Sequence, residues 1–293
     1  MNLISSLLPP ASDQPTKYQK FVLTVEHHWN QLEQTPFLPF GRATRLANLR
    51  QRQRAAKEAA RIFFIEPSRA ELLDAGKLSI STGTAMFDYQ FLYSYILAHK
   101  PKKILELGSG ISSIFIAHAL RAAASDGYRG HLYTMEDQPR YFENAVSICP
   151  AELKPWVSYH LSPPQLTKWR GAWLNHYQQL PDGPFDFIFT DGPYDAGMKV
   201  KSGILRADKP FGVINGDAIR VLEAYPDHAA DLLVDGRRHT LQTLARFMPA
   251  GKVARDAALG LGFAQQARAS DLAAQPSAPR RLPNRDIFGA FGL

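Results

Sequence analysis

Cysteine is almost missing from this chain: Cys149 is the single one in 293 residues. That excludes an intrachain disulfide and a multi-cysteine zinc site, and a reducing compartment is the simpler home. Long apolar runs are also lacking. The longest candidate, residues 91–98, is broken by Tyr and Ser and falls far short of the ~20 residues of a membrane helix, so no membrane partner is expected. The opening Met-Asn-Leu-Ile-Ser-Ser-Leu-Leu-Pro-Pro has no basic stretch, and Pro9 and Pro10 cut its apolar part short of a signal peptide. An uncleaved, cytoplasmic chain is the expectation. No internal repeat is present. Against these absences, 45% hydrophobic and 21% charged residues describe a folded globular protein. The length fits one large domain with appendages.

Charge is the first positive feature. Lys and Arg number 34 against 27 Asp and Glu, a formal +7, which favours an anionic partner. Much of the excess lies in Arg42, Arg45, Arg50, Arg52, Arg54, Lys57 and Arg61, and in Arg280, Arg281 and Arg285. The first group reads either as the solvated face of a helix or as an arm that contacts the phosphates of a nucleic acid. No aromatic residues interleave with it to stack single-stranded bases.

Three zones follow along the chain. Residues 1–78 read as a helical cap or arm, with helical stretches over 18–34 and 42–64 separated by Pro36 and Pro39. Residues 79–268 alternate short β-rich runs with helical stretches, the rhythm of a parallel α/β sheet. Residues 269–293 are basic, polar and rich in proline, and read as a mobile tail whose last aromatics could dock. In the central zone, strands are expected at 103–107, 131–136, 156–161, 185–190 and 211–215. Ile111, Ile114, Phe115, His118 and Ala119 form one apolar helical face after the first strand. Asp137 is placed to cap a helix beginning near Pro139 that buries Phe142, Ala145, Val146 and Cys149. Right-handed crossovers make this a doubly wound, Rossmann-like layer with its ligand edge at the carboxyl ends of the strands.

Four segments deliver polar residues to that edge. Ile104-Leu105-Glu106-Leu107-Gly108-Ser109-Gly110-Ile111-Ser112-Ser113 runs from a strand through a glycine turn into a helix. Gly108 and Gly110 let a ligand approach backbone, and the helix start offers unpaired N–H groups. A dinucleotide turn prefers a third glycine where Ser113 stands, and Glu106 would repel a pyrophosphate while suiting an ammonium. Glu136 closes the second strand, 26 residues after Gly110, where an acid accepts from ribose hydroxyls, with Asp137 as understudy. Phe185-Asp186-Phe187-Ile188-Phe189-Thr190-Asp191-Gly192-Pro193-Tyr194-Asp195 brings Asp191 to the same edge. Gly212-Val213-Ile214-Asn215-Gly216-Asp217-Ala218-Ile219-Arg220 sends Asp217 and Arg220 to the next strand end, Asp217 also being a candidate helix cap.

Taken in order, these motifs over about Ser81 to Arg220 resemble class I S-adenosylmethionine-dependent methyltransferases, in particular the methyltransferase-24 type with E-x-G-S-G-x-S-T and D-G-P signatures. The resemblance implies a seven-stranded sheet of order 3-2-1-4-5-7-6 whose last strand is antiparallel. It implies S-adenosylmethionine as cofactor, with Glu106, Gly108, Ser109, Gly110 and Ser112 at the methionine part, Glu136 and Asp137 at the ribose, and Asp191 near the methyl group. Catechol-type relatives bind a divalent metal through an Asp-Asn pair, but Ala218 stands where the Asn would be, so no metal site is expected. The Asn-Pro-Pro-Tyr type of signature is absent, which disfavours methylation of adenine or cytosine.

The expected reaction is in-line transfer of a methyl group to a hydroxyl of a small molecule or glycan. Asp191, Tyr194 and His176 are the candidate catalytic residues, and Asp195, Lys199 and Arg220 are further candidate acceptor contacts. The N-terminal helices and residues 81–89 would cover the pocket. Two alternatives stay open: a binding protein that keeps the cofactor fold without catalysis, and an RNA-directed methyltransferase using the basic arm. A nicotinamide-dependent oxidoreductase is opposed by Glu106 and by the missing third glycine.

Overall fold

The computed structural model describes residues 40–81, 85–124, 127–193 and 213–293. The helix expected over 18–34 and the candidates Tyr194, Asp195 and Lys199 lie outside them. The chain divides into two units, residues 1–50 and 51–293.

The main sheet has seven strands: β1 (Lys103–Leu107), β2 (His131–Glu136), β3 (Val157–Leu161), β6 (Phe187–Thr190), β8 (Ala230–Asp235), β9 (Val253–Arg255) and β10 (Leu261–Ala267). Their spatial order is β3-β2-β1-β6-β8-β10-β9. Counted in chain order within the sheet this is 3-2-1-4-5-7-6. The first five strands run parallel, while β10 is antiparallel to both β8 and β9. That is the Rossmann-like α/β architecture the resemblance implied. Strands buried on both faces read as continuous apolar runs. Ile104, Leu105 and Leu107 of β1 and Phe187, Ile188 and Phe189 of β6 are accordingly fully buried.

Helices cover both faces. After β1, helix α4 (Ile111–Ala123) buries Ile114, Phe115 and Ala119 as its periodicity predicts. Helix α3 (Met86–His99) lies on α4 and stacks Tyr89 on Phe115 with ring centroids 4.5 Å apart. Helices α1 (Phe40–Phe63) and α2 (Pro67–Lys77) precede it, and Phe64, just after α1, meets Phe115 edge-on. Helix α5 (Pro139–Ile148) follows β2 and buries Ala145 and Ile148, whereas Phe142 and Val146 are half-buried. Its cap residue is Gln138, with proline at the first turn, so Asp137 does not cap it.

One strand assignment is corrected. The run expected at 211–215 is not the fifth strand of the main sheet. Its described part, β7 (Val213–Asn215), pairs in parallel with β5 (Ala172–Tyr177), which in turn pairs with β4 (Pro164–Trp169) in a separate three-stranded sheet. A two-residue turn with Arg170 at φ 44° and Gly171 at φ 87° joins β4 to β5, the primed geometry that matches strand twist. The fifth place falls to β8, whose Leu232, Leu233 and Val234 are at most 1% exposed. Asp217 and Arg220, on helix α6 (Asp217–Ala224), therefore follow a strand of the small sheet.

The mobile-tail expectation is also corrected. Residues 269–293 are tied to the body by main-chain bonds from Ala273 N to Phe247 O (2.7 Å), Arg255 N to Pro283 O (3.0 Å) and Arg285 N to Arg255 O (3.0 Å). Arg280 donates to the carbonyls of Ala245 and Met248, closing the end of helix α7 (Arg238–Phe247). Phe291, just past helix α8 (Ile287–Ala290), is buried among Phe91, Tyr95 and Phe263. The basic helix α1 is partly committed to structure as well. Arg52 bridges Asp256 (2.9 Å) and Asp286 (3.1 Å), and Arg61 pairs with Glu58 at 2.7 Å. No helix among the described residues is long and apolar enough to cross a membrane.

Candidate functional site

The site grows from the carboxyl ends of β1, β2, β6 and β8, where parallel strands give way to turns. At the end of β1, Glu106 is fully buried. Ser113 Oγ accepts the Gly110 amide at 3.2 Å and donates its own proton to Glu106 Oε2. Ser113, which departs from the dinucleotide pattern, thus links the glycine turn to the acid. Glu106 Oε1 has no hydrogen-bond partner in the protein. Burial pushes the Glu106 carboxyl up to about 7, against the pull of the Ser112, Ser113 and Thr134 hydroxyls.

The two glycines of the turn differ in role. Gly108 has φ 103°, a region that favours glycine, and a Cβ there would meet the Asp191 carbonyl carbon and the Gly192 nitrogen at 3.0 Å. Its need is the close packing of β1 against the turn after β6. Gly110 is extended, and a Cβ there would meet only the Ser81 hydroxyl, at 2.8 Å. Ser81 therefore lies over the turn.

Glu136 closes β2 beside Glu106, and the two strands are paired in parallel. Its Oε1 accepts the amides of Asp137 and Gln138, both at 3.0 Å, and Ser109 donates to its Oε2 at 3.2 Å. The carboxylate is fixed in orientation, and burial raises it to about 7 against the lowering effect of the Gln138 amide. Asp137 stands at the same strand end with its side chain half-buried.

Asp191 follows β6. Arg237, at the start of α7, donates to its main-chain oxygen and lies 3.2 Å from Oδ1. Burial raises the Asp191 carboxyl and Arg237 opposes this, while 31% of the side chain stays open to water. The following turn is pinned from the small sheet: Asn215 Nδ2 donates to the carbonyls of Gly192 and Pro193, both at 2.9 Å. Thr190 of β6 pairs with Val234 of β8, so Asp191 and Asp235 emerge side by side. Burial and the Asp191 charge push Asp235 up to about 7. Asp88, in the first turn of α3, is the third carboxyl here, 2% exposed and held well above the carboxylate range by burial and by Asp235.

His176 and Asp217 are placed elsewhere. On β5, Tyr177 turns its hydroxyl toward Met135 O (3.4 Å), while His176, one residue back, points to the opposite face. There His176 Nδ1 lies 2.8 Å from both Arg220 Nη1 and the Tyr177 carbonyl oxygen, Nε2 faces Thr167 Oγ1 at 3.1 Å, and burial lowers the pKa of the ring. Asp217 receives the Tyr177 amide at 3.1 Å and Arg220 at 3.3 Å, so it braces β5 against α6 rather than capping its own helix. Burial raises it to about 7, against the pull of Arg220.

The structure thus gathers Glu106, Gly108, Ser109, Gly110, Ser112, Glu136, Asp137 and Asp191 at one edge, and it sets His176, Asp217 and Arg220 apart. Asp88, Asp235 and Arg237 join the edge without having been singled out in the sequence. Asp235-Gly236-Arg237 after an apolar run was the available signal for two of them; Asp88 carried none. No group of His, Cys, Asp and Glu suited to a metal ion occurs among the described residues.

No family model matches the chain, and no curated protein matches it. Solved structures do. An SAH-bound methyltransferase of Podospora anserina aligns at 16% identity over 77% of this chain and 73% of its own, with a TM-score of 0.32. A methyltransferase-like protein of Silicibacter pomeroyi aligns at 13% identity over 65% and 91%, with a TM-score of 0.37. Both scores lie below 0.5, and nothing about the reaction is inferred from them.

Proposed function

We propose that the chain is an S-adenosylmethionine-dependent methyltransferase of the class I type that methylates a hydroxyl of a small molecule or glycan. The observation that carries this reading is Glu106: a buried carboxyl behind a glycine turn, one oxygen held by Ser113 and the other without a protein partner. An enclosed acceptor of that kind suits an ammonium, met directly or through water, and opposes a pyrophosphate. Glu136 supplies the second requirement, a carboxylate locked by two amides and Ser109 where a ribose diol would be met. Residues 108–110 and Ser112 would line the methionine part, and Asp137 would flank the ribose.

When bound, the cofactor supplies an electrophilic methyl group on a sulfonium. The chain's part is to hold the acceptor in line and to take its proton. Asp191 is the group at that edge with a carboxylate oriented by Arg237 and partly open to solvent. Asp191→Asn is expected to lower turnover about 100-fold with cofactor affinity retained.

Calorimetric titration with S-adenosylmethionine, S-adenosylhomocysteine and NADH tests the cofactor directly. Micromolar binding of the first two, weakened about tenfold in Glu136→Gln, is expected, because a charge-assisted bond loses roughly half its strength. Binding of NADH alone, or of none of the three, would overturn the reading.

A further inference from the structure

We propose that Asp88, Asp191 and Asp235 form a cation-accepting wall of the acceptor site, so that the acceptor carries a primary ammonium or a guanidinium alongside the atom that is methylated. This rests on the methyltransferase reading and narrows its substrate class. Three elements converge to build the wall. Asp191 and Asp235 leave the adjacent parallel strands β6 and β8 in register, and α3 runs along them: Tyr95, two turns on from Asp88 on the same helix face, donates to Asp231 at the start of β8 at 2.6 Å, so Asp88 lies toward the strands' carboxyl ends.

The balance of charge and hydrogen bonds sets the chemistry. Arg237 is committed to Asp191, through both its main-chain oxygen and Oδ1. Asp88 spends Oδ2 on the Ala85 amide at 2.7 Å. Its Oδ1 is enclosed, the residue being 2% exposed, and has no hydrogen-bond partner. A buried acceptor left open in this way is destabilising unless a ligand or water completes it. Asp88 feels Asp235 and Asp191 as neighbouring negative charges, and Asp235 feels Asp191. An anion placed here would be repelled and a neutral group would gain no charge-assisted bond, whereas an ammonium or guanidinium offers three to five donors and a compensating charge. Burial and the neighbouring carboxylates raise Asp235 to about 7 and raise Asp88 as well, so protons compete with a cation for this place.

The test is calorimetric titration of the full chain, with and without S-adenosylhomocysteine, using two matched probe series. Ethanolamine, glucosamine and agmatine are the cationic members; ethylene glycol, glucose and butanol are the neutral ones. The cationic probes are expected to bind at least tenfold more tightly and to release protons, read from the dependence of the heat on buffer ionisation. Asp235→Asn and Asp88→Asn are each expected to weaken the amines at least fivefold and S-adenosylhomocysteine less than twofold. Asp88→Asn keeps an acceptor for Ala85, which guards the fold. Three results overturn the wall: neutral probes binding as well as amines or no amine binding, amine affinity unchanged in both variants, or a loss confined to S-adenosylmethionine, which would assign the carboxylates to the cofactor's own sulfonium. Failure of S-adenosylhomocysteine to bind would instead overturn the cofactor reading, and the amine titrations without it are read independently.

Discussion

Gly108 and Gly110 stand two residues apart in one turn, and their backbones ask for different experiments. A side chain at Gly108 meets a positive φ and two main-chain atoms at 3.0 Å, neither of which can swing away. Gly108→Ala is therefore expected to cost about 2 kcal/mol, seen as a lowered urea midpoint with unchanged slope. At Gly110 the obstacle is the end of the Ser81 side chain, which can rotate, so Gly110→Ala should shift stability by less than about 0.5 kcal/mol. Equal destabilisation by the two substitutions would contradict this division. The same scale shows what a sequence can disclose. Glu136 and Asp191 were readable because each stands at a strand end, where ligands of a parallel sheet lie, and Glu106 because it interrupts an apolar strand two residues before a glycine turn. Asp88 was not, because its neighbours Asp191 and Asp235 are more than 100 positions away and nothing local distinguishes it from an ordinary first-turn acid. His176 shows the converse: the strand's alternation, which a local reading of Trp173 to Tyr177 does not orient, turns it to the Arg220 side.

Among the elements, the tail is the clearest case of tertiary context overriding composition. Its segment is polar and rich in proline, yet Ile287 is fully buried and Phe291 nearly so, against Phe91 and Tyr95 of α3. Phe291 inserts between Phe91 and Phe263, joining α3 to β10, and His99 Nε2 lies 2.9 Å from its carbonyl oxygen. Truncation by Phe291→Ala is expected to cost about 3 kcal/mol, measured as a fall in the denaturation midpoint. An unchanged midpoint would return the tail to the status of an appendage. Strands β1 and β2 were legible to the residue because a glycine turn and a proline-started helix punctuate them. The start of β3 was read one residue early because Trp156 closes a short 3-10 turn, Ala151–Trp156. The exchange of β7 for β8 has a physical origin too: both are short apolar runs, and only the pairing of β8 with β6 and β10 decides which enters the seven-stranded sheet.

For the whole molecule, the buried carboxyls set how stability follows pH. Burial raises Glu106, Glu136, Asp217 and Asp235 to about 7 each, with Asp88 also raised. In the unfolded chain these acids titrate near 4. Between those values the folded state binds more protons than the unfolded one, so stability from these groups is complete below about 4 and is lost as pH rises through 7. The five together are expected to contribute on the order of 3–5 kcal/mol of change. That corresponds to a fall of roughly 5–10 °C in Tm between pH 5 and pH 8 for the ligand-free protein. A ligand that brings an ammonium to Glu106 favours the charged carboxylate, so the slope should reverse sign for the ligand's contribution: S-adenosylmethionine should raise Tm more at pH 8 than at pH 5. Scanning calorimetry at the two pH values, with and without it, measures both effects. A ligand-free Tm that rises from pH 5 to pH 8 would mean that these carboxyls are charged in the fold with compensation from solvent, and the electrostatic account of the edge would have to be given up.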